Sequence, residues 1–571
     1  MQSKAALAAG YGSRDGSEAA FDYDWVVIGS GFGGSVSALR LAEKGYRVCV
    51  LEAGRRFRDH DLPRSTWDVR RYWWFPKLGC RGIFRLSLFK DVTVVSGAGV
   101  GGGSLGYANT LYVPPRRFFE DPQWRDLADW ERVLAPHYAE AQRMLGVTEW
   151  TGDDRADQLL REFAREIGCE DTYRKTPVGV FLGPAGVTVP DPYFGGSGPA
   201  RTGCTRCGRC MVGCPVGAKN TLVKNYLWFA ERLGVDVRPE RTVVDIRPLG
   251  SGDGSEGFEI ESVRSGAWLR KQRTVLRARG VVVAAGTLGT NLLLQRCRLN
   301  GSLPALSPRL GELVRTNSEA ILAVTVPEKD PELVRRVAIT SSIYPDPDTH
   351  IETVTYGSRG GAMRFLFTLL VGGGGRIVRP LKLLAAIARR PTAWLKLWLK
   401  PGWSERTIIL LVMQTLDNAI ALRARRRPGG GVTLETEQDP QRPIPSFIPI
   451  ANKAARWFEK RTGGIAQSST MEALFGVPTT AHILGGAVIG RDPEHGVVDA
   501  NLRAFGYRNL LVCDGSTVPA NPGVNPSLTI TALAEHAMSA IPPKHADTGD
   551  ALGAGSIEQA ATASVRPTAE E

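Results

Sequence analysis

DWVVIGSGFGGSVSALRLAEKGYRVCVLEAG, residues 24–54, reads as one strand, a glycine turn, a helix and a second strand. The apolar run 25–28 leads into Gly29, Gly31 and Gly34, which have the spacing Gly-x-Gly-x-x-Gly, with Phe32 and Gly33 inside the same turn. The three glycines serve a tight turn, close backbone approach to a pyrophosphate, and close helix–strand packing. Apolar residues recur at helical spacing over 35–41, Gly45 stops the helix, and a second strand over 47–51 ends at Glu52. An acid there accepts hydrogen bonds from both hydroxyls of an adenosine ribose, which fits a free 2′-hydroxyl and disfavours NADP. The unit therefore predicts a Rossmann-like α/β domain that binds an adenine dinucleotide.

Working outward, three more segments have the grammar of a ligand-facing turn. Residues 97–103 hold five glycines in seven positions after a strand at 92–95, and Asn109 follows. Gly101 and Gly102 in this run expose backbone N–H groups and let the chain lie flat against a planar ligand. Val243 opens a short strand at 243–246, and ARGVVVAAGTLGTNLLL, residues 278–294, gives a buried strand that meets Gly286 and starts a helix near Thr290. In NLLVCDGSTVPANPGVNPSLTITALAEHA, residues 509–537, a strand ends in Asp514-Gly515 and a loop ends in Asn525-Pro526 before a helix from Ser527. Such a helix start sets backbone donors and partial positive charge beside an electron-rich ligand. His482 precedes the Gly485-Gly486 turn, and with Asn525 it forms a candidate acid–base pair.

With 571 residues, 43% hydrophobic and 23% charged, the chain is long enough for two or more interleaved domains. Lys and Arg number 71 against 58 Asp and Glu, a net charge of +13 that favours anionic partners. The clustering of that charge decides between them. RIVRPLKLLAAIARRPTAWLKLWLK, residues 376–400, has seven basic and no acidic residues, and Pro391 divides it into two short helices. Trp394, Leu397 and Trp398 share one helical face, which suits a helix in a membrane interface as well as an ordinary packed hairpin. No comparable cluster occurs elsewhere, so nucleic acid is excluded as a partner. No apolar run of about 18 residues predicts a transmembrane helix, and residues 1–20 lack the apolar core of a signal peptide. A cytoplasmic protein, peripheral to the membrane through 376–400, is expected.

Nine cysteines include Cys204, Cys207, Cys210 and Cys214, the last followed by Pro215. This spacing coincides with the bacterial ferredoxin run, in which one run supplies three ligands to a cluster and the fourth serves another. Two readings stay open: an iron–sulfur cluster or zinc on these thiols, or a reduced, redox-active cysteine loop.

Taken together, the 29–34 unit with Glu52, the GAGVGGGSL loop, the VVVAAGTLGTNLLL strand, His482-x-Leu484-Gly485-Gly486 and DGSTVPANPGVNPSLTITALAE resemble the glucose–methanol–choline (GMC) family of flavoprotein oxidoreductases, in its cholesterol oxidase branch. The resemblance runs from residue 22 to about 540. It implies FAD, and the absence of histidine from 91–110 argues against a covalent link there. It implies oxidation of a secondary alcohol, the 3β-hydroxyl of a sterol first, to the ketone by hydride transfer to flavin, with Δ5 to Δ4 isomerisation. His482 takes the family's histidine and Asn525 the active-site asparagine. An ungapped match over 405–415 places the proton-carrying glutamate on Glu405, while the branch's flavin-contacting asparagine falls on Tyr107, leaving Asn109 as a shifted candidate. The alternatives are a membrane-associated dehydrogenase of another lipid alcohol, passing electrons to a quinone or carrier rather than to molecular oxygen, and a non-enzymatic redox flavoprotein centred on the cysteines. The expected layout is a disordered leader at 1–20, an FAD-binding domain in three parts (21–118, 201–318 with the cysteine loop, 476–542), a packing segment at 119–200, an α+β substrate-binding domain at 319–475, and a disordered tail at 543–571.

Overall fold

The computed structural model describes residues 21–544; the expected leader, and the expected tail beyond residue 544, lie outside the described residues. The opening unit forms as β1 (Tyr23–Ile28), α1 (Phe32–Glu43) and β2 (Val48–Leu51), with β1 and β2 parallel and buried behind α1 from Asp24 onward. Continuous apolar runs suit strands covered on both faces. β1 also pairs in parallel with the strand Thr274–Val283, whose far half takes Leu510–Val512 as a further parallel neighbour. Asp236–Arg238 extends the sheet beyond β2, and the antiparallel pair Arg241–Pro248 and Phe258–Arg264 continues it past the near half of Thr274–Val283. Residues from three distant parts of the chain thus build one seven-stranded sheet.

A second seven-stranded sheet is antiparallel, in the order Phe367–Leu369, Ile465–Ser469, Ala320–Thr325, Thr407–Gln414, Thr349–Val354, Ile339–Asp346, Arg174–Lys175. The alternation along its strands gives it two different faces. Leu322, Ile351, Leu410 and Val412 pack on the helices Arg155–Ile167 and Pro449–Thr462. Ile409, Leu411 and Met413 point the other way, into a separate apolar cluster with Met363, Phe367 and Trp403. A Rossmann-like nucleotide sheet joined to a layered α+β unit is the expected fold class.

Residues 376–400 fold as two helices, Val378–Arg389 and Pro391–Leu399, separated at Pro391 as the sequence predicts. The face assignment needs correction. Leu397 is buried, Trp394 and Trp398 are half-buried against the domain, and Trp398 packs on Phe365 at 5.4 Å. The exposed apolar residues are Ile377, Val378, Leu381, Leu384, Leu395 and Leu399 instead.

Candidate active site

Four backbone segments meet at the carboxyl end of β1, so closely that side chains are excluded. A Cβ on Gly29 would lie 2.1 Å from Ala284 O, one on Gly33 1.7 Å from Cys513 O, and one on Gly102 2.6 Å from Gly31 Cα. Gly34 is as tight, against Gly29 O. Gly31 differs: a Cβ there meets nothing within 4 Å, so this glycine alone opens on free space at the N-terminus of α1. That is where a helix N-terminus receives a phosphate.

Glu52 ties the turn together. Its Oε2 accepts from Ser30 N at 3.1 Å and Ser30 Oγ at 2.7 Å, and its Oε1 accepts from Gly54 N at 2.7 Å. Ser30 Oγ in turn accepts from Gly101 N at 3.1 Å, which joins the two glycine loops. Beyond Glu52 a cleft of about 370 Å³ is lined by Leu51, Val237, Arg238, Arg241 and Ser262, at the position of an adenosine end. Val243 is buried beside it, paired with Ser262. Asp514 accepts from Gly286 N and Thr290 Oγ1 with one oxygen and from Ser516 N and Oγ with the other, which closes the floor under the loop. Gly515 O accepts from Gly485 N at 2.9 Å, linking that floor to the histidine turn, and Pro526 caps the helix Ser527–Ser539.

Asn109 is fully buried at φ 59°, and neither its amide oxygen nor its amide nitrogen has a hydrogen-bond partner. Orphaned buried amides are costly, and a bound group with donor and acceptor atoms satisfies both. Tyr107 is differently engaged, its hydroxyl donating to Asn220 O at 2.9 Å. The open space at Gly31, the cleft past Glu52 and the unpartnered Asn109 therefore fit a dinucleotide that ends in a ring with hydrogen-bonding edges.

At the far end of this cradle the structure brings His482 and Asn525 into one cluster, together with two carboxylates the sequence did not single out. His482 Nδ1 lies against Glu319, whose other oxygen accepts from Ala481 N at 2.7 Å. Asn525 Nδ2 donates to Glu352 Oε2 at 3.4 Å, and Asn525 Oδ1 is buried without a partner. Glu352 is fully buried; burial, helped by the nearby Glu319 charge and opposed by the Asn525 amide, pushes its carboxyl up to about 8. His350, two residues along the same strand, is pushed down to about 3 by burial and stacks on Tyr344 at 4.4 Å. Asn317 holds the corner: its N donates to Asn521 Oδ1, its amide donates to Val524 O, and its Oδ1 accepts from Gly523 N. Asn317 and Ser318 sit at φ 58° and 45°. Left-handed non-glycine residues of this kind cost of order 1–3 kcal/mol each and persist at sites the surroundings over-determine.

Glu352 is the cross-strand partner of Leu411 and His350 that of Met413, so both project from the apolar face away from the helices. A carboxylate and an imidazole at i and i+2 in THIETV are a signal of polar chemistry on one strand face. Glu405 is not part of the cluster. It lies just before Thr407–Gln414 and pairs with Lys329 at 2.5 Å. It ends a helical turn before the strand begins, and the strand then runs four residues, roughly 13 Å, from Thr407 to the register of Glu352 at Leu411. The expected iron–sulfur cluster or zinc on the four cysteines is likewise not supported. Among the described residues no group of three or more His, Cys, Asp or Glu side chains is placed to hold a metal ion, although Cys204, Cys207, Cys210 and Cys214 all line one narrow cavity.

Residues 24–61 match the FAD binding domain family, and residues 200–311 and 436–534 match the GMC oxidoreductase family. The chain belongs to the GMC oxidoreductases, FAD-dependent enzymes acting on CH–OH groups. Within them it stands in the cholesterol oxidase branch: it is 51% identical over 534 residues to a cholesterol oxidase of Mycobacterium tuberculosis, with 92% of each chain covered. It is 46% identical to a cholesterol oxidase of Acinetobacter baumannii, covering 92% of this chain and 95% of that one. Pyridoxine 4-oxidase from Mesorbium loti shares the fold, with a TM-score of 0.58 at 15% identity over 90% of this chain and 98% of that chain.

FAD supplies the hydride acceptor when bound. Gly31, Gly101, Gly102, Glu52, Asn109 and Asp514 would hold it, directly or by fixing the turns that do. The Glu319 carboxylate against Nδ1 sets the orientation of the His482 ring. Asn525 presents an unused carbonyl oxygen and an amide shared with Glu352, both buried.

Proposed function

We propose that this enzyme oxidises the 3β-hydroxyl of a sterol to the ketone and then moves the double bond from Δ5 to Δ4. His482 Nε2 takes the hydroxyl proton while the hydrogen on the same carbon leaves as hydride to the flavin. Asn525 orients the alcohol oxygen. Molecular oxygen accepts the two electrons with two protons, giving hydrogen peroxide. Glu352, in the role first given to Glu405, takes a proton from C4 of the ketone and returns it at C6. The observation that carries this reading is the cluster of His482, Asn525, Glu319 and Glu352 on the edge of an apolar sheet face. The printed activity of the two relatives supports the choice of substrate.

The test is anaerobic bleaching of the flavin by cholesterol, followed by peroxide and product analysis in air. Bleaching, one peroxide per ketone and a 4-en-3-one product are expected. Turnover that needs an artificial acceptor would favour the dehydrogenase of a lipid alcohol, and no bleaching by any sterol would overturn the reading.

The substrate is drawn from a bilayer through the hairpin at 376–400. Ile377, Leu381, Leu384 and Leu399, each more than half exposed, supply apolar depth, and the basic side chains around them supply attraction to anionic lipid. No helix among the described residues is long and apolar enough to cross a membrane, so contact is from one side.

A further inference from the structure

Glu352 has one oxygen that nothing in the cluster uses. Its Oε2 takes the Asn525 amide, while Oε1 is buried without a partner. His350 stands beside it on the same face of the strand Thr349–Val354, with Nδ1 3.9 Å from Oε1. That imidazole is 1% exposed, and neither of its nitrogens makes a well-formed hydrogen bond. A buried donor and a buried acceptor, each unpartnered and each costly alone, thus lie about an ångström beyond hydrogen-bond reach of one another.

The ring is held in place for this contact. It stacks on Tyr344 at 4.4 Å and meets Tyr112 edge-on at 5.0 Å, and the Tyr112 hydroxyl is itself tied to Ser342 Oγ and Thr176 Oγ1. Gly523, in the loop that carries Asn525, also lies against it. The neighbouring strands place no charged residue opposite the pair: Met413 and Leu411 face His350 and Glu352 on one side, and Ser342 faces Glu352 on the other. The titratable groups that bear on the pair are Glu319, with His482 against it, and the two tyrosines. Burial pushes His350 down to about 3, so at neutral pH the ring is uncharged and carries one N–H and one lone pair. An uncharged ring leaves the carboxyl free to rest protonated, yet has an N–H to offer once it ionises.

We infer that His350 is a positioning residue for the double-bond shift: it donates Nδ1–H to Glu352 Oε1 when that carboxyl ionises, and so holds the base in its charged form. The inference rests on Glu352 as the base proposed above. The proton on Nδ1 stays on the ring throughout, while the carboxylate takes the C4 proton and returns it at C6. Contacts of this kind are often long in the free enzyme and tighten when substrate fills the site. A hydrogen bond to a charged group is worth about one to two pH units of ionisation.

The FAD-loaded, full-length enzyme is given 5-en-3-one directly, and conjugated-enone absorbance is followed from pH 6 to pH 10 in the native protein, His350→Phe, His350→Met, His350→Asn and Glu352→Gln. The first two variants remove the donor with different shapes, and the third keeps an N–H near the position of Nδ1. The midpoint of the pH profile should rise by about one to two units in His350→Phe and His350→Met, with the rate at pH 7 down about tenfold or more, and stay within about half a unit of native in His350→Asn. Flavin content, measured on each sample, reports on the fold. A native midpoint in either flavin-loaded apolar variant, or an equal rise in His350→Asn, would overturn the inference. Native isomerisation in Glu352→Gln would instead overturn the assignment of the base on which it rests.

Discussion

Glu352→Gln removes a carboxyl but keeps its size, its burial and its contact with the Asn525 amide. If Glu352 carries the proton of the double-bond shift, this variant still reduces its flavin with a sterol but stops at the 5-en-3-one. Loss of a general base costs typically 10²–10⁴-fold, so the isomerisation should fall at least ~100-fold while flavin reduction changes less than about tenfold. The native enzyme provides an independent check. A carboxyl held at about 8 is ionised in roughly a tenth of molecules at pH 7 and in roughly nine-tenths at pH 9. Isomerisation of added 5-en-3-one should therefore rise about tenfold between these pH values, because the base is the ionised form. The assay follows conjugated-enone absorbance with flavin reduction recorded separately. A flat profile from pH 7 to 9, or wild-type isomerisation in Glu352→Gln, would refute the assignment. Glu405→Gln serves as the control and should leave both rates unchanged.

His482→Asn should slow flavin reduction at least ~100-fold, and Glu319→Gln roughly tenfold or more, since the amide leaves the ring without its charged partner; stopped-flow reduction measures both. The glycines separate folding from binding. Gly33→Ala drives a methyl into Cys513 O and should give insoluble protein, whereas Gly31→Ala has room in the fold and should yield soluble protein with weakened FAD affinity, read by flavin content after dialysis. Leu381→Ser with Leu384→Ser should weaken sedimentation with anionic vesicles by about tenfold or more, while Trp394→Ser should act mainly on thermal stability, because its ring packs inward.

The nucleotide half was legible because its chemistry is local: a turn of fixed length, a glycine where no side chain fits, and an acid at the end of the next strand. Asn109 stands out by the same logic, as an amide just past a glycine loop. The proton-handling carboxylates were not, because their placement is a property of strand order. Glu352 reaches Asn525 only because Thr349–Val354 lies beside Thr407–Gln414 in the second sheet, and a short ungapped match at 405–415 carries no information about that neighbour. Glu319 is brought to His482 by the pairing of Arg315 with Leu484, across a separation no local pattern spans. The tryptophans of 376–400 misled for a related reason: helical spacing identifies an apolar face but not whether protein or lipid covers it.

The floor and roof of the cofactor cradle come from distant parts of the chain, Gly33 resting on Cys513 and Gly29 on Ala284 with no side chain between them. During synthesis, β1, α1 and β2 emerge long before the surface that presses on Gly33, which leaves the ribosome only with Leu510–Val512, the last strand among the described residues. Until that strand slides in beside Thr274–Val283 the amino-terminal glycine turn has no partner to hold its shape, and loop closure over so long a span is slow. Flavin capture is therefore a late, whole-chain event. A nascent chain cut short before residue 510 would carry every glycine of the nucleotide motif and still emerge colourless.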